Sequence, residues 1–221
     1  MESSATANSR DESLCDSVLP ISSLERQDLM SRLEKTKIGQ GLIRDFQERF
    51  GSLDALILQW DQVSFSQILQ PSAVRSSVVC VHLAEHLPEI EHIADLAHEM
   101  THATRLDPAV LLGYGIKNSD EFVRMRIAGV GGEADAFSME CALKREILNH
   151  WDHFCVPYVT GKNMFDVKKV VEDLYNGELS ASLTGEPYPI MLSKQYANLQ
   201  QTQLNLRNTR RPASLSRTRR K

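Results

Sequence analysis

The residues best suited to chemistry in this chain are two histidines four positions apart, with a glutamate beside the first. His98, Glu99 and His102 spell H-E-x-x-H in a stretch whose apolar residues recur at helical spacing. Residues four apart lie on one face of a helix, so both imidazoles can bind one ion, which predicts half of a zinc site. Glu99 is then placed to act as the general base. The alternative is that both histidines are solvated or hydrogen-bonded for structural reasons.

A third zinc ligand must come from elsewhere in the chain, and Glu133 is the predicted one. It directly follows Gly131 and Gly132, at the predicted start of a later helix. Small residues let two helices approach closely, so this carboxylate can complete a His₂Glu site for one Zn²⁺. In the alternative interpretation, Glu133 is a first-turn glutamate that the helix dipole favours. The other candidates for this ligand are Asp135, Glu140, His150 and His153.

Three more histidines, His82, His86 and His92, stand shortly before the motif. Three protein ligands and one open position complete a catalytic zinc site, so none of the three is needed as a ligand. We expect His82 to be half-buried in a strand, and His86 and His92 to be solvated.

The elements that must position the candidate ligands are a helix and a small sheet. Apolar residues at helical spacing predict a helix over 88–106, which carries the H-E-x-x-H motif. Short runs rich in apolar and β-branched residues predict strands at 56–60 and 77–83. We therefore expect an α+β fold, mainly helical, with a small β-sheet packed on the motif helix.

Further helices are predicted on both sides of this unit. Within 122–151 the pattern is strongly helical, but Gly129, Gly131 and Gly132 interrupt it. The glycines either break the segment in two or let its backbone approach the motif helix closely. The remaining helical patterns are two pieces within 29–50, a short one at 109–116, and two at 167–174 and 190–206.

The 221 residues divide into an acidic body and a basic tail. The net charge is −4, yet the chain from Pro187 onward has eight basic residues and no acidic one. Residues 1–23 are Ser-rich and are predicted to be disordered; their composition resembles the export segment of proteins delivered by specialised bacterial secretion systems. We expect one folded domain at 24–206. The disordered basic tail at 207–221 could contact an acidic partner or an anionic surface.

The cellular compartment is predicted from what the sequence lacks. It has no signal-peptide pattern and no transmembrane segment, which would need about 18 consecutive apolar residues. Its four cysteines show no paired spacing such as C-x-x-C and are predicted to be reduced; they are Cys15, Cys80, Cys141 and Cys155. These features favour a cytoplasmic protein by default, with export by a specialised secretion system as the other hypothesis.

The two motifs together resemble the gluzincin group of zinc metallopeptidases, whose third ligand is a glutamate on the helix after the motif helix. His98-Glu99-x-x-His102 and the downstream Glu133-Ala134-Asp135-Ala136 carry this resemblance. Over residues 30–150 the order of features is also similar to that of largely uncharacterised bacterial metallopeptidases. The shared features are a Thr36-Lys37-Ile38-Gly39 helix start, a short strand, a strand over Val78 to Leu83, A-H-E-x-x-H-A and E-A-D-A. The resemblance implies a zincin-like fold and one zinc ion bound by His98, His102 and Glu133.

The same resemblance implies hydrolysis of a protein or peptide substrate, with Glu99 as the general base. The chain lacks the glycine and third histidine of the metzincin continuation. Phe137 stands where thermolysin-like enzymes have an aspartate, and Asp135 is the candidate for orienting a zinc histidine. A group that stabilises the oxyanion is also expected. Its candidates are Tyr114, Arg105, His150, His153 and Tyr158.

The sequence thus predicts a zinc-dependent peptidase, and two alternatives stay open. The first is a protein of the same fold that binds zinc without turnover and acts as an interaction module. The second is a helical interaction protein in which His98 and His102 are structural. Loss of zinc in His98→Ala would exclude the second, and loss of cleavage in Glu99→Ala with zinc retained would exclude the first.

Overall fold

A computed structural model describes residue 15 and residues 19–69, 77–161, 163–180 and 185–209, with side chains up to residue 205. Eight helices and three strands occur within these residues. They are α1 (Ser23–Glu34), α2 (Lys37–Phe50), β1 (Leu56–Asp61), β2 (Phe65–Leu69), β3 (Val78–Ala84), α3 (Glu89–Arg105), α4 (Pro108–Leu111), α5 (Ser119–Ala128), α6 (Glu133–Leu148), α7 (Val167–Asn176) and α8 (Tyr188–Thr209). The predicted α+β class, mainly helical with a small sheet, is confirmed. The predicted tail lies outside the described residues, except for 207–209 at the end of α8.

The sheet is mixed and has β3 at its centre. Its order is β1-β3-β2, with β1 parallel and β2 antiparallel to β3. All seven residues of β3 are buried, as the run of Val, Cys and Leu predicts for a strand that is covered on both faces. The sequence analysis did not predict β2, because Phe65-Ser66-Gln67-Ile68-Leu69 is short and partly polar.

The main hydrophobic core lies between this sheet and the helices α1, α2 and α3. Phe46 of α2, Val79 and Val81 of β3, and Leu96 and Met100 of α3 are all fully buried there. Burying each large apolar side chain contributes about 1.5–3 kcal/mol, so this layer fixes α3 firmly against the sheet. The opposite face of α3 is left for α6.

A second hydrophobic cluster joins α5, α7 and α8. Phe122 and Ile127 of α5 pack with Val170 and Leu174 of α7 and with Leu192 of α8. The cluster holds the start of α8 next to α6, because Ala134 and Phe137 of α6 also contact it. None of the helices in the described ranges is long and apolar enough to cross a membrane.

The chain departs from two expectations near its N-terminus and at its cysteines. Pro20 pairs with Gln59 of β1 and Ile21 is buried in the main core, so packed structure begins before residue 24. The prediction of reduced cysteines is wrong, because two disulfides, Cys15–Cys80 and Cys141–Cys155, join all four. The first links the N-terminal segment to β3 across 65 residues. Spacing along the chain could not reveal this pairing, and it removes one argument for a cytoplasmic location, which stays a prediction.

Candidate metal centre

Three side chains from two helices converge at one point between α3 and α6. His98 and His102 lie one turn apart on α3, and Glu133 is the first residue of α6. The Nε2 atoms of the two histidines are 3.1 Å apart, and they lie 3.6 and 3.4 Å from Oε2 of Glu133. The structure therefore brings together the three side chains that were predicted as zinc ligands. We refer to them as the metal centre.

The separations within the metal centre fit a zinc ion. Zinc binds imidazole nitrogen and carboxylate oxygen at about 2.0–2.2 Å, and tetrahedral geometry then places the ligand atoms about 3.3–3.6 Å apart. The observed triangle has sides of 3.1, 3.4 and 3.6 Å. Two nitrogens and one carboxylate oxygen are also the donor set of catalytic zinc sites, which leave the fourth position open.

The other ring nitrogen of each histidine fixes which nitrogen faces the metal centre. Nδ1 of His102 donates to the carbonyl oxygen of Gly131 at 2.7 Å, and Nδ1 of His98 donates to Oε2 of Glu140 at 3.2 Å. A carbonyl and an ionised carboxylate can only accept, so each Nδ1 carries the hydrogen in neutral imidazole. Both Nε2 lone pairs then point into the centre, as metal ligation requires.

The pKa values of His98 and Glu133 are shifted in opposite directions at the metal centre. Burial alone would lower the pKa of His98, but hydrogen bonds to Glu133 and Glu140 outweigh burial and raise the pKa well above its usual range. Burial would raise the pKa of Glu133, but His102, His98 and Arg126 hold that pKa well below its usual range. Without a metal, a proton therefore balances Glu133 at this point. A divalent cation can replace that proton.

Gly131 allows α6 to begin this close to α3. Its φ is +71°, and a Cβ there would lie 2.2 Å from the backbone nitrogen of Leu106, just after α3. Both predicted roles of the glycines are therefore confirmed: they end α5 at Ala128, and they permit a close backbone approach. Asp135 accepts a hydrogen bond from the Gly131 nitrogen at 2.9 Å, which holds this turn.

Glu99 is buried on α3 beside the metal centre, with only 7% of its surface exposed. Its carboxylate interacts electrostatically with His98 and with the hydroxyl of Tyr188. Burying a carboxylate costs free energy, whereas an apolar side chain at this position would pack without that cost. A buried glutamate here therefore indicates a polar role. The position agrees with that of a general base, although the assignment stays a prediction.

Tyr188 is the residue at the metal centre that the sequence analysis missed. It is the first residue of α8, and its hydroxyl is close enough to Glu133, Glu99 and Glu140 for their charges to act on it. Burial, together with the nearby carboxylates of Glu133, Glu99 and Glu140, raises the pKa of Tyr188 above its usual range. The hydroxyl therefore stays protonated and can donate. A tyrosine fifty-five residues after Glu133 carries no local signal, because only the packing of α8 brings it here.

The predicted oxyanion-stabilising residues lie elsewhere. Tyr114, His150 and His153 are exposed, and Tyr158 packs in the second hydrophobic cluster. Arg105 forms ion pairs with Asp45 and Asp135 at 3.7 and 3.4 Å. None of these candidates reaches the metal centre through a described hydrogen bond or ion pair.

The structure also places the other acidic and histidine residues that were considered near the motif. Asp135 contacts the Gly131 nitrogen and Arg105, so it can orient His102 only through the Gly131 turn, and its orienting role stays a prediction; Glu140 contacts His98 directly. His82 lies in β3, pairs with Asp61 at 3.1 Å and stacks on Phe65. The ring of His92 contacts the carbonyl oxygen of Ala84. Two expectations are therefore wrong: His82 is fully buried and not half-buried, and His92 is half-buried against the sheet and not solvated.

A second set of ligand-type side chains lies next to the metal centre, between the same helices. Glu91 and Asp95 of α3 and Glu140 of α6 place one carboxylate oxygen each within 4.8 Å of one another; we name them the acidic group. The Nζ atom of Lys144 lies 2.5 Å from Glu91 and 2.9 Å from Glu140. Its ammonium already provides the positive charge that a cation would bring.

Comparison of the chain with protein-family models, with curated proteins and with solved structures gives no match. The functional assignment therefore depends on the geometry and chemistry of the centre itself.

Proposed function

We propose that this protein is a zincin-like, zinc-dependent peptidase that hydrolyses peptide bonds of a protein or peptide substrate. The observation that carries the proposal is the triangle of His98 Nε2, His102 Nε2 and Glu133 Oε2, with sides of 3.1, 3.4 and 3.6 Å, beside the buried Glu99. A H-E-x-x-H helix completed by a carboxylate is the arrangement that hydrolytic zinc sites use.

A zinc ion held by these three residues would lower the pKa of a bound water and polarise the carbonyl of the scissile bond. The residues of the chain supply the proton transfer. Glu99 takes up the proton of the attacking water and passes it to the leaving amine, because it directly follows His98 in the motif and binds neither a histidine nor a cation through a described hydrogen bond or ion pair. Its burial keeps competing water away from this transfer.

Tyr188 is the proposed donor to the oxyanion that develops on the carbonyl oxygen. Its hydroxyl lies near the carboxylates of Glu133 and Glu99, beside the proposed ligands and the proposed general base, and it stays protonated so that it can donate. A donor aimed at developing negative charge typically contributes about 3–4 kcal/mol to transition-state stabilisation. Tyr188→Phe would remove only this hydroxyl and leave the ring in its packing site.

The sheet edge supports a polypeptide substrate. β2 pairs only with β3 among the described strands, so its outer edge presents backbone N–H and C=O groups that an extended peptide can bind. The residue just before β2, Ser64, donates a hydrogen bond to Asp95, one turn before His98 on α3. At the other end of β2, Gln67 and Ile68 line a groove of about 610 Å³ with Leu111 and Leu112, which could hold apolar substrate side chains.

The proposal is tested by metal analysis together with a peptide-library cleavage assay. We expect one zinc per chain in the wild type and in Glu99→Gln, whereas cleavage by Glu99→Gln falls by about 10²–10⁴-fold. Glu48→Gln makes the same chemical change on an exposed part of α2 and should cleave as the wild type does.

Each other outcome has a definite meaning. A wild type that binds no zinc would contradict the proposal entirely. If the wild type binds zinc but shows no more peptide cleavage than Glu99→Gln, the result would favour the inactive zinc-binding module.

A further inference from the structure

Two carboxylates contact the histidines of the metal centre, and both use their second oxygen in the same way. Glu133 faces the histidines with Oε2 and accepts from Arg126 with Oε1 at 3.3 Å. Glu140 faces His98 with Oε2 and accepts from Nζ of Lys144 with Oε1 at 2.9 Å. Each carboxylate is therefore held between an imidazole and a buried cation.

Lys144 is buried, and its described ion pairs are with Glu91 and Glu140. Its side chain is 3% exposed, and its Nζ atom is 2.5 Å from Glu91 on α3 and 2.9 Å from Glu140, one turn earlier on α6. Burial would lower the pKa of Lys144, but Glu140 and Glu91 raise the pKa above its usual range. The ammonium is therefore charged and bound from two sides, which fixes its position across the helix interface.

We propose that Lys144 is a positioning residue of the metal centre: its ammonium holds Glu140 in the orientation that aligns the His98 ring for metal binding. The contacts form one continuous path from Glu91 through Lys144 and Glu140 to Nδ1 of His98. Carboxylates that accept from a metal-bound histidine fix its ring orientation and strengthen it as a ligand. This inference rests on zinc binding at the proposed centre.

His98 needs such a path and His102 does not. The partner of His102 Nδ1 is the carbonyl oxygen of Gly131, which the turn before α6 holds in place. The partner of His98 Nδ1 is the flexible side chain of Glu140, which has several rotatable bonds. Only the contact with Lys144 restrains the second oxygen of Glu140 among the described hydrogen bonds and ion pairs.

The test is the zinc affinity of purified, disulfide-intact protein, measured by competition with a chromophoric chelator. Loss of an outer partner of a metal ligand typically lowers metal affinity by about 10–100-fold. We expect a fall in this range for Glu140→Gln and a fall of about tenfold for Lys144→Met, whereas Lys144→Arg keeps most of the affinity. The matched control is Lys169→Met, which removes the exposed lysine of the Lys169–Asp173 pair, also four residues apart on one helix and remote from the metal centre.

A charge-balanced variant guards against simple misfolding. Lys144→Met alone leaves two carboxylates near each other, whereas Lys144→Met with Glu91→Gln removes one positive and one negative charge. We expect the double variant to fold and to show the same tenfold loss. Its cobalt-loaded form should also have shifted visible absorption bands, which report ligand geometry and which a purely structural ion pair would leave unchanged.

The two possible failures are distinguishable. If the wild type binds no zinc, the proposed function fails and this inference fails with it. If the wild type binds zinc, and both the double variant and Lys144→Met bind it equally well with unchanged cobalt spectra, then only the positioning role of Lys144 is overturned.

Discussion

The metal centre and the acidic group lie side by side between the same two helices, where Glu140 of the acidic group contacts His98, but they differ in what balances their charge. In each, three ligand atoms lie within 4.8 Å of one another. In the metal centre, two imidazole nitrogens and one carboxylate oxygen face each other, and Arg126 contacts only the outer oxygen of Glu133, which faces away from both histidines. In the acidic group, the Lys144 ammonium contacts two of the three carboxylates.

The difference shows that the number of ligand-type residues does not by itself indicate a metal site. Three partly buried carboxylates repel one another unless a cation is present, and in the acidic group Lys144 supplies that cation. The metal centre instead has lone pairs directed at one point, with hydrogen-bond partners that fix both imidazoles. The acidic group therefore supports the ligands of the metal centre, and we expect only the metal centre to bind zinc.

The largest effect on zinc binding should come from removing a histidine of the metal centre, and removing a carboxylate of the acidic group should leave the zinc stoichiometry unchanged. Wild-type protein should bind one zinc ion, and His98→Ala should lose about 10³-fold in affinity, because one of three protein ligands is removed. Glu91→Gln, which alters the acidic group, should keep a stoichiometry of one. Metal analysis after dialysis measures both. If Glu91→Gln loses zinc while His98→Ala retains it, the roles of the two sets are reversed.

The next effect concerns backbone approach, which only the metal centre requires. Gly131→Ala should destabilise the zinc-free protein by about 3 kcal/mol more than Gly115→Ala, as measured by urea unfolding. Both glycines have φ near +70°, so both variants carry the same backbone strain of about 1–2 kcal/mol. Only at Gly131 would the new Cβ meet backbone atoms, at 2.2 Å, whereas nothing lies within 4 Å at Gly115. Equal losses of stability would contradict the close approach.

The pH dependence of zinc binding should follow the histidines. The pKa of His98 is raised well above its usual range, so near neutral pH zinc must displace a proton from the metal centre. Apparent affinity should therefore rise by about tenfold per pH unit between pH 6 and pH 8. Chelator competition at several pH values checks this. In the acidic group the pKa of Asp95 is about 6, so a profile that rises only near pH 6 and is flat from pH 7 to pH 8 would point to the acidic group.

The side chains whose convergence could be predicted from the sequence are those that local patterns place. H-E-x-x-H places two side chains on one helix face by geometry alone, and Glu133 was predicted because glycines precede it at a helix start. The strands β1 and β3 were predicted because their apolar and β-branched runs are dense. In each case the information lies within a few residues.

The parts that escaped prediction depend on contacts between distant segments. Tyr188 reaches Glu133 only through the packing of α8, and Cys15 pairs with Cys80 across 65 residues. In the sequence, Glu140 and Lys144 resemble an ordinary surface pair four residues apart on a helix. Only the packing of α6 against α3 places them at the helix interface. β2 has too few apolar residues to be recognised, and its pairing with β3 decides its structure.

The smallest effect should come from Asp95, where the acidic group carries a charge that Lys144 does not contact. Burial raises the pKa of Asp95 to about 6, from an ordinary value of 3.8, although its hydrogen bond with Ser64 acts in the opposite direction. The native state therefore favours the protonated form, so this stabilisation is complete below pH 4 and is lost as the pH rises through about 6.

Asp95→Asn keeps a neutral group at every pH. In the zinc-free protein it should raise the free energy of unfolding by about 1 kcal/mol at pH 7.5, since partial exposure screens part of the burial cost. Urea unfolding should show that this gain disappears at pH 4. A gain that persists unchanged at pH 4 would mean that it does not come from the ionisation of Asp95, and the acidic group would then be fully balanced by Lys144.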